Sequence, residues 1–391
     1  MKMTNPPIHV VGAARLPLVK ESALSLKEMG AAVVRQALDD AGLLTADALF
    51  VGNMLSGIVN SQQQLGAIIA NACPMKGKEA FTVEAACGSG GAALRSGVMA
   101  IKSGMCDTVV VCGIEKMSHP DKEFLTRAIA TASDFQSEYQ QGENFVTLNA
   151  KLTELYLQKY KLTHDTFFSF GLNAHANACQ NPLAVLRKSI SKKDYLESRF
   201  LHGPLRLYDA SPICDGAAAV VLSKYSSTEI NAVKTAEVQI TGSACATESV
   251  SIIKRQDPLE GYSIRTSAFS ALKMAGISVG EIDFFELHDA YSIIAAISLE
   301  AIGFAEKGKA GHFASEGGIF PDGRIPVSTF GGLKARGHAL GASGVYQAVE
   351  SYLQLKGSAG ANQLPKDVRC AMIQSIGGTA STVLTHIMQR V

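Results

Sequence analysis

The chain has 391 residues, of which 47% are hydrophobic and 18% are charged, so it can bury the cores of two or three domains. A net charge of +1 without a long basic run argues against nucleic acid or an anionic membrane as the main partner. Eight scattered cysteines and an N-terminus without an apolar signal segment predict reduced thiols. Residues 389–391 are not a peroxisomal address, so we expect a cytoplasmic protein. The spacing of cysteines and histidines predicts no metal site.

The first elements predict an α/β fold. An apolar segment at residues 8–13 is typical of a short strand, and residues 26–41 carry a helical periodicity that ends at Gly42. A strand followed by a helix is how a doubly wound layer begins. A continuous apolar run at residues 108–112 then predicts a parallel strand that is covered on both faces.

One cysteine lies where an extended segment gives way to small residues and then to a helix. Glycines follow Cys87 closely, and Leu94, Val98 and Ile101 recur with helical spacing. A thiol at the start of that helix would lie among free backbone N–H groups and the positive end of the helix dipole. Both lower the pKa of a thiol and stabilise an oxyanion beside it. Cys87 is therefore the candidate nucleophile. The alternative is a buried structural cysteine, since free Cys is among the most buried residue types.

The middle of the chain changes character. Residues 118–208 are more polar and aromatic, lack the alternation of strand and helix, and include a helical pattern around residues 149–161. Strand character returns at residues 216–222 and 237–241. We therefore predict four segments, which are residues 1–117 as the first part of an N-terminal half, 118–208 as an inserted subdomain that contacts the substrate, 209–246 as the return strands of the N-terminal half, and 247–391 as a C-terminal half.

The two halves repeat each other at an offset of 234 positions. Residues 37–51 parallel residues 271–285, with a helix end, a glycine and a following strand in the same places. Later in each half a run rich in Gly, Ala and Ser opens an amphipathic helix, at residues 88–104 and 341–357. Two α/β halves of one design, with an active site between their equivalent loops, are the simplest architecture.

The second half supplies two histidines and a glycine pair. His288 ends an apolar strand before a helix expected at residues 292–302, and the ends of strands are where α/β sites form. His338 lies among five glycines in residues 330–344, where little side-chain packing surrounds it. That run lacks the ordered spacing of a phosphate loop. Residues 374–379 are a strand that ends in glycines, whose N–H groups can serve an oxyanion.

Together these motifs resemble the thiolase superfamily, and within it the sterol-carrier-protein-type and archaeal acetoacetyl-CoA thiolases. The likeness covers essentially the whole chain. It rests on the Cys87 segment, residues 113–120, residues 181–209, residues 215–219, the His-Asp-Ala-Tyr motif at residues 288–291 and the glycine-rich residues 331–344. It implies a thiolase fold of two pseudo-repeated αβα halves, which form a five-layered αβαβα core with an inserted loop subdomain.

The resemblance also implies the substrates and the assembly. Acyl-CoA and CoA would be substrates with no further cofactor, and the protein would act in lipid and fatty acid metabolism. The chain would form a homodimer or a tetramer, and some relatives add a small accessory protein.

Each site residue receives a role from the resemblance. Cys87 would accept the acyl group, and His338 would assist its deprotonation. His288 and His338 would form a first oxyanion hole, and the N–H groups of Cys87 and Gly377 would form a second. The residues expected to contact the substrate are Ala290, Tyr291 and Gly378.

The chain departs from the family pattern at its second cysteine. Most thiolases use that thiol as an acid and base, either near the C-terminus or in a His-Asp-Cys-Phe motif, and those positions here hold Ser375 and Ala290. Serine is a poor base at neutral pH, so Ser375 is only a candidate position for this role. We hypothesise instead that His288 takes it. Ala339 also replaces the proline that usually follows the histidine.

The predicted function is an acyl-CoA C-acyltransferase, which condenses two acyl-CoA molecules or cleaves a 3-ketoacyl-CoA by thiolysis. A decarboxylating ketoacyl synthase is an alternative with the same fold, although residues 375–379 lack its aromatic glycine-rich pattern. A non-catalytic subunit that binds acyl-CoA is the other alternative. It has no need of the nucleophile and the two histidines that this chain carries.

Overall fold

The computed structural model describes residues 6–232 and 236–391. The strands are β1 (His9–Arg15), β2 (Ala48–Gly52), β3 (Glu79–Val83), β4 (Thr108–Glu115), β5 (Phe200–His202), β6 (Leu205–Arg206), β7 (Gly216–Ser223), β8 (Val238–Thr247), β9 (Phe284–Glu286), β10 (Cys370–Gly377) and β11 (Thr382–Arg390). The helices are α1 (Leu26–Ala41), α2 (Ser56–Val59), α3 (Leu65–Ala72), α4 (Ser89–Lys102), α5 (Lys122–Ala130), α6 (Phe145–Tyr160), α7 (Phe168–Gln180), α8 (Lys192–Glu197), α9 (Ser227–Asn231), α10 (Tyr262–Ala275), α11 (Ser292–Ile302), α12 (Ala310–Ser315) and α13 (Ser343–Leu355). None of the helices in the described ranges is long and apolar enough to cross a membrane.

The large strands form one continuous nine-stranded sheet in the order β3-β2-β4-β7-β1-β8-β11-β10-β9. Helices α4 and α13 contact strands of both ends of it, so we call β3-β2-β4-β7-β1 the first sheet and β9-β10-β11-β8 the second sheet. They join where His9 and Val10 of β1 pair with Gln239 and Val238 of β8. The second order repeats the first when β8, β9, β10 and β11 are matched with β1, β2, β4 and β7. The internal repeat predicted from the sequence is therefore confirmed in the topology.

Five layers result from where the helices pack. Helices α4 and α13 contact each other and lie between the two sheets. Helices α1 and α3 cover the outer face of the first sheet, and α10, with α11 beside it, covers the outer face of the second. This αβαβα arrangement is the predicted fold class.

Local signals in the sequence set several helix boundaries correctly. The N–H of Glu28 donates to the Ser25 hydroxyl at 3.2 Å, and the Ser25 N–H donates to the Glu28 carboxylate at 2.8 Å. This capping box starts α1, and Gly42, in the left-handed region at φ 69°, ends it. The predictions of helices over residues 26–41 and 292–302 are confirmed without a shift.

The inserted segment contains α5 to α8 and the short pair of strands β5 and β6. Its long helix starts earlier than the pattern indicates, at Phe145, because the Asn144 side chain caps it by accepting from the N–H groups of Val146 and Thr147. Helix α7 packs against the π-helical turn Gly332–Arg336, which lies directly before His338. The inserted segment thus reaches the glycine-rich loop of the second half.

The predicted division at residue 247 is corrected by the position of β8. This strand pairs with β11 along almost its whole length, so it belongs to the second sheet. The reason is the repeat itself, since β8 opens the second half as β1 opens the first. The assignment of residues 209–246 to the first half therefore holds for β7 and is wrong for β8.

A buried cluster of charges anchors the turn before His338. The Glu350 carboxylate of α13 accepts a hydrogen bond from Arg336 and another from Arg15 at 3.0 Å. Arg336 and Glu350 are both buried. Since a buried charge without its partner is strongly destabilising, this cluster fixes the π-helical turn to α13 and β1.

Replacement of Glu350 tests the contribution of this cluster. Glu350→Gln keeps the shape of the side chain but leaves the charges of Arg336 and Arg15 without a buried counter-charge. We expect the free energy of unfolding in urea to fall by about 3–5 kcal/mol. Glu306→Gln, at an exposed position, is the matched control and should change it by less than about 0.5 kcal/mol. Equal stability of the two variants would contradict the prediction.

Candidate active site

A cavity of about 1020 Å³ lies between the inserted segment and the loops that carry the predicted site residues. The predicted residues that line it are Cys87, His288, Ala290, Tyr291, His338 and Gly378. The strand-end glycine Gly377 and the hydroxyl-bearing Ser375 are not among its lining residues. The fold therefore brings Cys87, His288 and His338 to one cavity. In the chain, about two hundred residues or more separate each histidine from the cysteine.

A tight turn between β3 and α4 presents Cys87 to the cavity. Ala86 adopts a positive φ of 52°, which is uncommon for a residue with a side chain. The Ser89 hydroxyl closes the turn, because it donates to the Ala86 carbonyl at 2.6 Å and accepts from the Ala85 N–H at 2.9 Å. A Cβ atom at Gly377 would lie 2.4 Å from the Ala85 carbonyl oxygen, so only glycine allows β10 to approach this turn.

The thiol of Cys87 is protonated at rest. Burial, followed by the Glu115 carboxylate, raises the pKa of Cys87 to about 12. The backbone N–H groups of Cys87 and Gly378 act in the opposite direction. The expectation that the start of the helix lowers the pKa of this thiol is therefore wrong, since loss of water outweighs the helix terminus. A neighbouring base is needed to form the thiolate.

His338 lines the same cavity as Cys87, and its Nδ1 contacts Ser343. The Ser343 hydroxyl lies 2.7 Å from His338 Nδ1 and donates to the Ala339 carbonyl at 3.2 Å. With the single hydroxyl proton directed to that carbonyl, this arrangement favours the tautomer in which Nδ1 carries the hydrogen and Nε2 is unprotonated. Burial and the adjacent His288 keep the pKa of His338 well below its ordinary value of 6.5. The imidazole of His338 is thus neutral at physiological pH.

His288 has the opposite tautomer. Its Nδ1 accepts a hydrogen bond from the Ile376 N–H at 3.3 Å, so the proton is on Nε2. Burial, with a smaller contribution from Arg336, lowers the pKa of His288 to about 3. The two imidazole rings lie 5.2 Å apart and nearly perpendicular. In this tautomer His288 is suited to donate to an oxyanion and is not ready to accept a proton.

The glycine that faces the thiol is Gly378. Its N–H points to Cys87, and its positive φ of 62° brings that N–H into the cavity. A Cβ atom there would lie 2.6 Å from the Ser381 hydroxyl and 2.9 Å from the Ala132 carbonyl. The N–H expected from Gly377 is thus supplied by its neighbour, because the chain turns out of β10 between the two residues.

Ser375 points away from the cavity. It is fully buried, and its hydroxyl donates to the Gln347 side-chain carbonyl at 3.2 Å. The Gln347 amide donates in turn to the carbonyls of Glu286 and Leu287, directly before His288. Ser375 therefore acts on the position of His288 only through Gln347. It lies outside the cavity, where it cannot exchange a proton with a substrate.

Sequence reasoning missed Glu115, which joins the two halves beside the site. This buried carboxylate accepts hydrogen bonds from Asn53 Nδ2 at 2.9 Å, Met54 N at 3.0 Å, Leu55 N at 3.1 Å and Gly341 N at 2.9 Å. Burial raises the pKa of Glu115 to about 7, while the four donors favour its charged form. The signal in the sequence is one acidic residue that ends the apolar run of β4.

Basic side chains surround the cavity at two depths. Lys334 is fully buried in the wall, where its ammonium group donates to the Asp209 carbonyl. Arg187, Lys188 and Arg199 also line the cavity but are exposed, so they lie at its mouth. The mouth is therefore positively charged, whereas the walls are mostly apolar.

Models of protein families match nearly the whole chain. Residues 8–226 match the model described as "Thiolase, N-terminal domain", and residues 242–390 match the model described as "Thiolase C-terminal domain-like". The boundary between the two models lies near the start of β8, close to where the second sheet begins.

Comparison with individual proteins agrees with the family models. The chain is 37% identical to an acetyl-CoA acetyltransferase of Methanothermobacter thermautotrophicus, with 98% of this chain and 99% of that protein covered. It is 24% identical to human sterol carrier protein 2, over 97% of this chain and 71% of that protein. A solved Ltp2-ChsH2(DUF35) aldolase has a similar fold, with a TM-score of 0.83 at 20% identity over 100% of this chain and 99% of that one. The two relatives are of the archaeal and sterol-carrier kinds that the sequence motifs indicate.

Alkylation of Cys87 by iodoacetamide, followed by mass spectrometry of its peptide, tests the roles of His338 and Ser343. Since the pKa of His338 is lowered, this base stays unprotonated below pH 6.5, and the alkylation rate should begin to fall only below that pH. Ser343→Ala frees Nδ1 and should lower the rate about tenfold or more. The control is Ser315→Ala in α12. A midpoint above pH 6.5 would contradict the lowered pKa of His338, and equal rates in Ser343→Ala and Ser315→Ala would contradict the role of Ser343.

Proposed function

The chain belongs to the thiolase family, and from this premise we propose that it exchanges acyl groups between coenzyme A thioesters through an acyl-Cys87 intermediate. The observation that carries the proposal is the cavity, in which a buried thiol meets two neutral histidines of opposite tautomer. One histidine can accept a proton and the other can donate a hydrogen bond. Acyl transfer and carbon–carbon bond formation need both.

The first half-reaction acylates Cys87. His338 Nε2 takes the thiol proton, and the thiolate attacks the carbonyl carbon of an acyl-CoA. The N–H groups of Cys87 and Gly378 stabilise the oxyanion of the tetrahedral state. CoA then leaves as the thiol with the proton held by His338, and the acyl group remains on sulfur. This covalent step divides a difficult exchange into two easier ones.

The second half-reaction makes or breaks the carbon–carbon bond. The thioester oxygen of the second substrate would accept a hydrogen bond from His288 Nε2, which stabilises the enolate that forms at that oxygen. The enolate carbon attacks the acyl-Cys87 carbonyl to give a 3-ketoacyl-CoA. The reverse path, in which the thiolate of Cys87 attacks the 3-keto carbon, is thiolysis.

Charge and polarity support an orientation for the CoA thioester. Phosphate groups pair well with Arg and Lys, so Arg187, Lys188 and Arg199 would hold the phosphates of CoA at the mouth. The acyl group would lie deeper, against apolar residues that include Ile129, Phe145 and Leu340. No further cofactor is needed for this chemistry. A cytoplasmic location and a role in lipid metabolism stay predictions.

Mass spectrometry of Cys87 after incubation with acyl donors tests the function. We expect acetyl-CoA to leave an acetyl group on Cys87 in the wild-type protein and none at position 87 in Cys87→Ser. A 3-ketoacyl-CoA with CoA should yield acetyl-CoA and a shortened acyl-CoA. Absence of any label would favour a non-catalytic subunit, and carbon–carbon bond formation from a malonyl thioester alone would favour a decarboxylating synthase.

A homodimer through the edge strand β3 is the second part of the proposal. β3 lies at the edge of the first sheet, with its Glu79, Phe81 and Thr82 side chains exposed. An open edge of this kind is a template for a strand of another chain. A second copy that pairs with β3 would cover Phe81 and stiffen the turn that carries Cys87. A tetramer or a small accessory protein would add to this dimer.

Charge on the edge strand tests the dimer. Phe81→Asp should convert a dimer into a monomer when the mass is measured by light scattering after size-exclusion chromatography, because it places a carboxylate opposite its own copy. Leu44→Asp, at another exposed apolar residue, should stay dimeric. Circular dichroism verifies that both variants are folded. A wild-type monomer, or a dimer that persists in Phe81→Asp, would refute the β3 interface.

A further inference from the structure

In the proposed carbon–carbon step a proton moves to or from the α-carbon of a thioester. The two positions considered from the sequence as the acid and base do not supply a group that can exchange this proton. Ala290 offers only a methyl group, and the Ser375 hydroxyl is bound to Gln347 outside the cavity. Nε2 of His288 already carries a hydrogen. In the carbon–carbon step His338 exchanges its proton with the sulfur of Cys87. A second acid and base at the substrate would leave His338 to serve the sulfur alone.

Tyr291 presents a free hydroxyl to this cavity. Its side chain lines the cavity together with Cys87 and both histidines. Its hydroxyl makes no hydrogen bond with any residue in the described ranges, so the phenol is available to a ligand. The remainder of the side chain packs against the core of the second half. This is an unusual state for a largely buried tyrosine, since buried Tyr hydroxyls usually find a partner.

The backbone fixes where that hydroxyl lies. The Tyr291 carbonyl accepts from the N–H groups of Ile294 at 3.1 Å and Ala295 at 3.2 Å, which begin α11. The preceding carbonyl, of Ala290, accepts from the Ser211 N–H at 2.9 Å, and Tyr291 itself bridges to Ala210. The phenol thus extends from an anchored turn, and only two side-chain torsions remain to be set.

The phenol also lies close enough to the nucleophile to sense its charge. Burial, and then the charge of Cys87, raises the pKa of Tyr291 above its ordinary value. The hydroxyl is therefore protonated in the resting protein and can act as an acid towards a group near the sulfur. The other cavity tyrosine, Tyr208, packs its ring on His175 instead, with centroids 5.2 Å apart.

We propose that the Tyr291 hydroxyl is the catalytic acid and base that exchanges a proton with the α-carbon of the second thioester. The proposal rests on the proposed function. In thiolysis, the bond between C2 and C3 of the 3-ketoacyl-CoA breaks, and C3 stays on the sulfur of Cys87. The electron pair of that bond goes to C2 as an enolate, and C2 takes the phenol proton to give acetyl-CoA and a Tyr291 phenolate.

The phenolate is consumed in the following step, so the proton count closes. Water returns a proton to the phenolate and takes the proton that His338 holds, which restores both groups. His338 then removes the proton of the incoming CoA thiol, and the CoA thiolate attacks the acyl-Cys87 carbonyl. The thiolate of Cys87 leaves and takes that proton from His338. In the direction of condensation these steps run in reverse, so water takes the phenol proton and protonates His338. The phenolate then removes the α-proton of acetyl-CoA, while His288 Nε2–H stabilises the enolate oxygen. The enolate attacks the acyl-Cys87 carbonyl, and the departing thiolate takes the proton of His338.

Deuterium exchange separates this role from a structural one. The protein is incubated with acetyl-CoA in deuterium oxide, and incorporation at the methyl group is measured by mass spectrometry. Tyr291→Phe should lower this incorporation and the rate of thiolysis at least about 100-fold. It should still become acetylated on Cys87 within about threefold of the wild-type rate, because that half-reaction moves no carbon-bound proton. Tyr208→Phe, which also removes a cavity hydroxyl, is the matched control.

Each outcome decides the assignment. Lost exchange with retained acetylation of Cys87 in Tyr291→Phe supports Tyr291. Retained exchange in Tyr291→Phe, or its loss in His288→Asn alone, overturns the proposal in favour of the histidine. If the variant loses acetylation as well as exchange, its role is structural and the proposal fails. If the wild-type protein itself takes no acetyl group, the proposed function fails instead, and the two failures are thus distinct.

Discussion

The Glu115 carboxylate holds together the two loops on which the site depends. It accepts from the N–H groups of Met54 and Leu55 in the first half and from that of Gly341 in the second, only three residues after His338. Because Glu115 is buried these bonds are strong, and each donor left without a partner would cost about 1–3 kcal/mol. The position of the loop that carries His338 relative to residues 53–55 is therefore set by this one carboxylate.

Burial then determines the chemistry of the reacting groups. Loss of water raises the pKa of Cys87 and lowers that of His288, so the thiol and the imidazoles are all neutral at rest. Charges form only during the reaction, beside donors that are already in place. Because the effective dielectric constant is low there, hydrogen bonds to a developing oxyanion are worth more than they would be in water. The same burial that hinders formation of the thiolate thus strengthens the stabilisation of each oxyanion.

The sequence predicts what local patterns encode and misses what distant contacts decide. Periodicity and caps locate α1 and α11, and the repeat predicts two sheets with one order. The convergence of Cys87, His288 and His338 follows from that repeat. The membership of β8 depends on pairing with a strand more than a hundred residues away. The raised pKa of Cys87 and the partners of Glu115 depend on burial and on the opposite half, and a one-dimensional pattern contains neither.

The motif at residues 288–291 shows how the group that exchanges the proton can stand at position 291 instead of position 290 in the same fold. Asp289 anchors the turn by accepting from the Leu333 N–H at 2.7 Å, and the Ala290 carbonyl anchors it to Ser211. A short side chain at position 290 must lie next to the substrate to act on it, whereas the phenol of Tyr291 reaches the cavity from the next residue. Because tyrosine has only two side-chain torsions, little entropy is lost when it is held there. The alanine at position 290 therefore leaves the geometry of the proposed reaction intact, provided that the neighbouring hydroxyl exchanges the proton.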